Sequence, residues 1–287
     1  MKFKYYPLYL ISLLPLVVLY RISSFLYWLI YRILTYRKKV VLANLRNAFP
    51  TDHGDQIEKK ASDFYKHFAD LLVESLKTAS LSNLELDQRF VYKNIDVLRH
   101  EISHGKSIIL YTAHLGNWEW FAGITSHLKC PVYSLYLPLS NRYMNGWMIS
   151  LRERFGLKTV SASKAFRYLL RRSLSGEKYL SFFIGDQSPP NIDHVHWIDF
   201  LNQHTAFLPG TSNMALKLHA SVYFPFMLKT GRGQYAIEFV CLWDGLEPVT
   251  AEQITHRYAH WLEKAIQKSP SIWLWSHRRW KLQPNAT

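Results

Sequence analysis

The residues best suited to chemistry are a histidine and a glutamate in the segment HLGNWEW (114–120), which directly follows the apolar run SIILYTA. Gly116 permits a tight turn and Asn117 is a good helix N-cap, so the segment predicts a strand, a turn and a helix start. We expect Glu119 to fold back across this turn towards His114. A carboxylate fixes the tautomer of an imidazole and stabilises the imidazolium, so the pair suits a general base that activates a hydroxyl for attack on an acyl carbonyl. Because H-x4-E is short and common, a solvent-exposed loop histidine with an unrelated glutamate is the alternative.

Short apolar runs rich in β-forming residues alternate with helical patterns around this segment. A long amphipathic helix is predicted at 55–78. Strands are predicted at 107–113, 132–137, 179–184, 221–228 and, nearer an edge, 235–240. Helices are predicted at 118–127, 141–155, 164–174, 211–218 and 252–268. The alternation predicts an α/β sandwich with a largely parallel or mixed central sheet flanked by helices, in which ligands gather at the carboxyl ends of strands.

The N-terminus is a second informative feature, because 5–20 carries no charge and the apolar character continues beyond Arg21 to Tyr31. A bilayer-spanning helix needs about 20 apolar residues, so 5–31 with a snorkelling arginine is long enough. We therefore predict a membrane anchor over 1–36 and one catalytic domain over 37–287. Whether the anchor spans the bilayer or is half-embedded stays open, and a signal peptide or a buried core helix is the alternative.

Charge places the catalytic domain relative to the membrane. A basic cluster follows the apolar segment, at Arg32, Arg37, Lys38 and Lys39, and the positive-inside tendency then puts the remainder of the chain in the cytoplasm. Lys2 and Lys4 weaken that expectation.

Composition narrows the class of protein. The 287 residues carry a net charge of +14 and are 48% hydrophobic, which excludes a disordered or collagen-like chain, and two cysteines exclude a disulfide scaffold. The basic balance suits either nucleic acid or an anionic membrane surface. No nucleic-acid-binding motif is present, and the apolar N-terminus favours the membrane, so no nucleic-acid partner is expected.

Across nearly its whole length the chain resembles the lipid A late (secondary) acyltransferases, a branch of the H-x4-D/E lysophospholipid acyltransferase group. After the apolar N-terminus, the matching segments are, in order, YRKKVVLANLRNAFP, HFADLLVESLK, HLGNWEW, NRYMN with RERFGLKTV, GDQSP and PSIWLWSHRRWK. The resemblance implies a glycerol-3-phosphate-acyltransferase-like sandwich with His114 and Glu119 as the catalytic pair. In that scheme His114 deprotonates a lipid hydroxyl, which attacks the thioester of an acyl-acyl carrier protein or acyl-CoA. It implies no covalent acyl-enzyme, no metal and no cofactor besides the donor substrate.

The resemblance also suggests substrate-binding residues. Arg142 and Arg154 match the family's basic block, and arginine binds phosphate through its bidentate fork, although either can be a solvated helix charge. Asp186 and Gln187 follow a predicted strand and are expected to support the active site, with a turn-forming aspartate as the alternative. Asn117 is either a helix cap or a direct substrate ligand.

Further expectations concern the oxyanion, the acyl pocket and the C-terminal segment. Backbone amides near Gly116 or a nearby arginine are candidates to stabilise the oxyanion. Phe200, Phe207 and Leu208 are candidates for the acyl pocket, with ordinary core packing as the alternative. The C-terminal aromatic and basic residues suit a membrane–water interface, and Arg278 or Arg279 is an alternative phosphate ligand. His194 and His196 lack a convincing third metal ligand.

The sequence thus predicts a bacterial inner-membrane O-acyltransferase that faces the cytoplasm and acylates a phosphorylated glycolipid, a lipid A precursor of lipopolysaccharide. Its expected partners are the acyl carrier protein or CoA thioester, this acceptor and membrane lipids. A lysophospholipid, another glycolipid or an aminolipid is the alternative acceptor, and a non-catalytic membrane scaffold is the alternative class. Donor, chain length, acylated position and oligomeric state are not defined by the sequence.

Overall fold

The computed structural model describes residues 5–283, so Lys2 and Lys4 lie outside the described part of the chain. Its α-helices are α1 (Tyr6–Ser12), α2 (Leu16–Trp28), α3 (Lys38–Ala48), α4 (Gly54–Lys77), α5 (Asn83–Arg89), α6 (Asp96–Ser103), α7 (Arg142–Arg154), α8 (Ala165–Leu174), α9 (Gly210–Leu218) and α10 (Ala251–Lys268). Its strands are β1 (Phe90–Tyr92), β2 (Ile108–Thr112), β3 (Val132–Tyr136), β4 (Lys158–Ser161), β5 (Leu180–Ile184), β6 (His196–Phe200), β7 (Gln203–Phe207), β8 (Ser221–Gly231) and β9 (Gln234–Trp243). A π-helical turn, Leu29–Ile33, extends α2, and 3₁₀ helices occupy Trp118–His127, Ala162–Lys164 and Pro270–Ile272.

A seven-stranded mixed sheet in the order β1-β9-β8-β2-β5-β3-β4 forms the centre of the molecule. Neighbouring strands are parallel except for β8 and β9, which form an antiparallel hairpin. All five residues of β2 are buried, as expected for a central strand that helices cover on both faces. The expectation of an α/β sandwich with a mixed sheet is confirmed.

The five predicted strands and the long amphipathic helix are all present, with ends shifted by only a few residues in most cases. The predicted helix at 118–127 is a 3₁₀ helix. β1 and β4 were not predicted because they have only three and four residues, too few for a clear alternation of apolar and polar side chains. The β6–β7 hairpin, a separate two-stranded sheet, was not predicted either, because His196 and His204 interrupt its apolar pattern.

The N-terminal helices pack along α4. Pro15 separates α1 from α2, as expected for a residue that cannot continue a helix through its own missing N–H. Among residues 5–283, one helical stretch, Leu16–Ile33, is long and apolar enough to cross a membrane, and only 17% of it is buried. Its buried face includes Leu19, Ser23 and Tyr31.

Candidate active site

The pairing register of two central strands brings His114 and Asp186 together. Thr112 at the end of β2 pairs with Ile184 at the end of β5, and His114 and Asp186 each follow two residues later. Both residues therefore leave the same carboxyl edge of the sheet side by side, where α/β proteins gather their ligands. Gly116 turns the chain with a φ of +58°, and a Cβ at this position would lie 2.2 Å from the Met227 Sδ. Glycine is thus required both by the backbone conformation and by the space available.

The buried Asp186 carboxylate holds His114 at two points. Its Oδ1 accepts a hydrogen bond from His114 Nδ1 at 2.8 Å, and its Oδ2 accepts one from the His114 backbone N–H at 3.0 Å. Trp273 Nε1 donates to the same Oδ2 at 2.8 Å. Burial alone would raise the pKa of Asp186, but the imidazole and these hydrogen bonds outweigh it and hold that pKa below its usual value.

This geometry determines which nitrogen of the imidazole is available. An ionised carboxylate only accepts hydrogen bonds, so the proton of a neutral His114 resides on Nδ1. Nε2 then carries the lone pair, which accepts a long hydrogen bond from the Gln187 Nε2 at 3.4 Å. The His114 side chain is 18% exposed, so this nitrogen can meet a substrate hydroxyl.

The C-terminal segment forms one wall of the site. The Gly116 N–H donates to the Ile272 carbonyl at 2.8 Å, and the Leu274 N–H donates to the His114 carbonyl at 3.2 Å. On the far side of Asp186, His277 Nε2 accepts a hydrogen bond from the Ser188 N–H at 3.0 Å, and burial lowers the pKa of His277. The two backbone hydrogen bonds to Ile272 and Leu274 fix the turn that carries His114. The Gly116 N–H is therefore occupied and is not available to an oxyanion.

The expected membrane-interface role of the C-terminal aromatics is wrong for Trp273 and Trp275, which are buried in the core. The Trp280 Nε1 donates to the Thr205 hydroxyl at 2.8 Å. Arg279 is also buried and donates to the Ala206 carbonyl, whereas Arg278 is exposed. The segment packs against β7 and the turn that carries His114, because its indole rings fill the space beside them.

Glu119 does not orient His114 in the structure. Its carboxylate accepts two hydrogen bonds from the Arg152 guanidinium, at 2.7 Å and 2.8 Å, and a third from the Trp118 indole at 3.1 Å. The 3₁₀ helix that starts at Trp118 carries Glu119 away from the imidazole and into a pocket at the ends of β2, β3 and β5. The expectation that this carboxylate holds the base is corrected: Asp186 does so.

The pocket beside Trp118 is mainly apolar, with one ion pair. Its lining consists of Thr112, Trp118, Glu119, Phe121, Ala122, Ser134, Leu135, Arg152, Leu157, Phe182 and Ile184. Trp118 connects the pocket to the base, because its ring contacts the His114 ring edge-on at 5.0 Å between centroids. The Arg152 side chain is only 19% exposed and the Glu119 side chain 7%, so the pair is largely shielded from water.

The structure separates the two arginines predicted to bind phosphate. Arg142 starts α7 and is exposed. Arg154 instead donates to the backbone carbonyls of Thr78 and Leu81, at 3.3 Å and 2.6 Å, just beyond the end of α4. The predicted acceptor role of Arg154 is therefore not supported by its position; Arg152, one helical half-turn away, is the arginine of this helix that lines the pocket.

Asn117 is buried inside the protein rather than directed at a substrate. Its Oδ1 accepts a hydrogen bond from the Trp120 N–H at 3.2 Å, and its Nδ2 donates to Glu74 Oε2 at 2.8 Å. The Glu74 carboxylate is fully buried, and burial raises its pKa. Tyr235 donates to the same Oε2 at 3.0 Å. Of the two interpretations of Asn117, the geometry favours the helix cap.

The three other pocket candidates fall outside this pocket. Phe200 and Phe207 are buried in the main hydrophobic core, where their rings pack edge to face, and Leu208 is exposed. None of the three is among the residues that line the pocket next to Trp118.

Comparison with known proteins now bears on this site. The family model described as bacterial lipid A biosynthesis acyltransferase matches residues 5–282. The chain belongs to this family. It is also similar to the lipid A biosynthesis acyltransferase of Haemophilus influenzae, with 26% identity over 199 residues. The match covers 68% of this chain and 61% of that relative, so the chain spans less than two thirds of the relative's length.

Membership of the lipid A biosynthesis acyltransferase family confirms the resemblance that the ordered segments indicated. Three residues of this site were not assigned their present partners from the sequence: Asp186 as the partner of His114, Arg152 as the partner of Glu119, and Glu74 as the partner of Asn117. A signal for the first was present, because His114 directly follows one strand predicted to be buried and Asp186 lies two residues after the end of another. No sequence pattern pointed to Glu74, which lies in a different helix 43 residues from Asn117.

Proposed function

We propose that this protein is a membrane-associated O-acyltransferase that transfers a fatty acyl chain from a thioester to a hydroxyl of a lipid A precursor. The observation that carries the proposal is the partly exposed His114 imidazole at the carboxyl edge of the sheet, hydrogen-bonded through Nδ1 to Asp186 and, with the lone pair of Nε2, to the Gln187 amide at 3.4 Å. Family membership supports the lipid A class of acceptor. No cofactor besides the acyl donor is required by this chemistry.

The reaction follows from the lone pair of Nε2. His114 accepts the proton of the acceptor hydroxyl as its oxygen attacks the thioester carbonyl, and Asp186 stabilises the resulting imidazolium. The tetrahedral intermediate then breaks its C–S bond, and the imidazolium returns the proton to the departing thiolate. An ester and a free thiol leave, and the base regains its initial state.

We assign the acyl chain to the apolar pocket next to this base. A chain bound among Phe121, Leu157 and Phe182 has its thioester end near Trp118, which contacts both the pocket and His114. The Arg152 guanidinium lies in the same pocket and supplies positive charge where the carbonyl oxygen becomes negative. We assign Glu119 the role of fixing that guanidinium through the bidentate pair.

The acceptor and the donor are both anionic. The net charge of +14 attracts phosphorylated lipids and the acidic acyl carrier protein alike, so charge leaves acyl carrier protein and CoA as the two candidate donors. We propose Arg142, exposed at the start of α7, as a contact for the acceptor phosphate, and Gln187, next to Nε2, as a contact for the reacting groups. We place the protein at the cytoplasmic side of the bacterial inner membrane.

Purified protein tests the proposal directly. Acyl-acyl carrier protein and acyl-CoA are each supplied with a lipid A precursor or a lysophospholipid, and the acylated products are measured by mass spectrometry. We expect acylation of the lipid A precursor, and a His114→Ala variant should lose about 10² to 10⁴ of the turnover because it lacks the base. His260→Ala, at an exposed position on α10, is the matched control.

Two outcomes would count against the proposal. Acylation of the lysophospholipid alone would keep the chemistry of His114 but replace the acceptor. Turnover by the folded His114→Ala protein close to that of the unsubstituted chain would remove the general-base assignment.

A further inference from the structure

Hydrogen bonds join the N-terminal helices to α4 along almost its whole length. As the residue numbers rise in the N-terminal helices, the numbers of their partners in α4 fall. Lys77 Nζ donates to the Ser12 carbonyl (3.0 Å), Tyr20 to Glu74 (3.1 Å), Ser23 to Asp70 (2.6 Å) and Tyr31 to Glu58 (2.8 Å). The Tyr27 and Ser62 hydroxyls lie 2.8 Å apart. The N-terminal helices are therefore fixed antiparallel to α4, side by side with it.

α4 cannot accompany a membrane-spanning helix. It carries nine charged residues and belongs to the main domain, where Phe64 and Tyr65 join the core. The 19 residue steps from Glu58 to Lys77 cover about 28 Å, close to the thickness of the hydrocarbon layer. If α2 crossed the bilayer with these contacts intact, the charges of α4 would be drawn into hydrocarbon, where charged side chains are strongly disfavoured.

The face of α2 that points away from α4 is nonetheless built for lipid. Val17 is 67% exposed and Phe25 is 60% exposed. Further large apolar side chains on these helices are exposed as well, namely Leu10, Leu13, Ile22, Trp28, Ile33 and Leu34. A polar, hydrogen-bonded inner face with an apolar outer face is typical of a helix that lies in the membrane interface.

A second apolar element lies next to the start of α1. The segment from Leu137 to Met144, which runs from the end of β3 into the first turn of α7, exposes Leu137 (74%) and Leu139. It is tied to the N-terminal helices through Tyr5, whose ring lies 5.0 Å from that of Tyr143. Since Leu135 of the preceding strand lines the pocket beside Trp118, the segment also lies close to the candidate acyl pocket.

The charges around this surface match an anionic membrane. No acidic residue precedes Asp52 in the sequence, whereas Arg21, Arg32, Arg37 and Lys39 are exposed on the N-terminal helices or directly after them. Arg142 adds a cation within the second element. Exposed basic residues around an apolar surface are attracted to anionic lipid head groups.

We propose that α1 and α2 lie flat in one leaflet of an anionic bilayer, and that Leu137 and Leu139 insert beside them. The chain is then bound to one side of the membrane without crossing it, and the pocket beside Trp118 faces the lipid. This mode of membrane attachment deepens the proposed function, because it describes how the protein reaches its lipid acceptor. The proposal rests on that function only for the choice of a bilayer as the partner. Its test needs no acyl transfer, so the two can fail separately.

Depth measurements distinguish this arrangement from a spanning helix. The two native cysteines are first replaced (Cys130→Ser, Cys241→Ser). An environment-sensitive fluorophore is then attached to a single cysteine introduced at Val17, Phe25, Ile33 or Leu139, or at Leu246 as the control. Each labelled full-length protein is mixed with phosphatidylglycerol-containing vesicles. Spin-labelled lipids should report similar shallow depths for the first four positions. An impermeant reductant added outside should bleach all of them, and Leu246, on the loop after β9, should not respond to vesicles.

Substitutions then test the second element. We expect Leu137→Asp combined with Leu139→Asp to lower the vesicle partition coefficient about tenfold or more, because two exposed leucines lose their lipid contact. Leu246→Asp, equally exposed, should leave it unchanged. A deep Phe25 flanked by Val17 and Ile33 in opposite leaflets would overturn the proposal. Fluorophores that do not respond to vesicles, in a protein that self-associates through this face, would also overturn it. So would an unchanged vesicle partition coefficient in the folded Leu137→Asp, Leu139→Asp variant.

Discussion

At the scale of single residues, the buried carboxylate of Asp186 decides which nitrogen of His114 carries the lone pair. It accepts from the imidazole Nδ1, from the backbone N–H of the same residue and from the Trp273 indole. An asparagine at this position offers one oxygen and adds two N–H donors to a site that already contains three, so the imidazole tautomer is no longer fixed.

We therefore expect Asp186→Asn to lower kcat by about 10² to 10⁴ while KM changes little, since the base is lost but the substrate pocket is not. Steady-state kinetics on the folded variant measures this. Asp199→Asn, at a side chain that is 90% exposed, is the control. A kcat similar to that of the unsubstituted protein would return the orienting role to another group.

Asn117 gives a residue-level test of structure against substrate binding. Its amide caps the 3₁₀ helix and donates to the buried Glu74 carboxylate, so Asn117→Ala should lower the free energy of unfolding by about 1–3 kcal/mol. Urea denaturation measures the change. An unchanged stability with a raised KM would instead restore the role of a direct substrate ligand.

At the scale of elements, the two arginines in the last turn of α7 have different surroundings. Arg152 pairs with Glu119 in the pocket, whereas Arg154 binds the carbonyls that follow α4. Arg152→Ala should lower kcat/KM strongly because the pocket loses the positive charge that we assign to the developing oxyanion, and the largely buried Glu119 loses its partner. Arg154→Ala should lower stability by about 1–2 kcal/mol and leave the turnover of the folded protein unchanged. Melting curves and steady-state kinetics are measured for both variants. A loss of turnover in Arg154→Ala with only a loss of stability in Arg152→Ala would contradict this assignment.

The helices and strands were largely predictable from the sequence, whereas the side-chain contacts between different elements were not. The runs around 107–113 and 179–184 predicted β2 and β5, since buried strands read as continuous apolar stretches. The contact between His114 and Asp186 depends on the pairing of those strands, across 72 residues of sequence. Glu119 was close in sequence to His114, but a 3₁₀ helix rather than an α-helix follows Asn117, and this local geometry is not specified by the capping residue.

The same limit applies to Glu74. The amphipathic pattern of α4 was readable at 55–78, but an inward-facing glutamate gives no signal until its donors from α2, β9 and the catalytic turn are known. The fold class could be inferred from the alternation of strands and helices. The site could not, because it depends on which strand ends and helices lie next to each other in the folded protein.

At the scale of the whole molecule, a buried histidine makes stability depend on pH. Burial and the Lys229 ammonium lower the pKa of His67 to about 3, from about 6.5 in the unfolded chain. Between these values the unfolded chain binds a proton that the folded protein does not, so stability falls as the pH falls below about 6.5. The contribution of His67 amounts to about 2 kcal/mol between pH 7.5 and pH 5.

Denaturation at both pH values checks this expectation. His67→Leu should lessen the acid-dependent loss of stability by about that amount, whatever its effect at pH 7.5. His256→Leu, at an exposed position, should leave the loss as it is. An equal acid dependence in the His67→Leu protein and the unsubstituted chain would show that His67 is protonated in the folded state near its usual pKa.

The central proposal for the whole molecule is acylation of lipid A through His114, and mass spectrometry of lipid A from the source cells tests it most directly. Cells that lack the gene, cells that carry it again and cells that carry the His114→Ala form are compared. We predict that lipid A loses one acyl chain without the gene, regains it with the unsubstituted gene and does not regain it with His114→Ala. Full restoration by the His114→Ala form, or a missing acyl chain on a different lipid with lipid A unchanged, would contradict it.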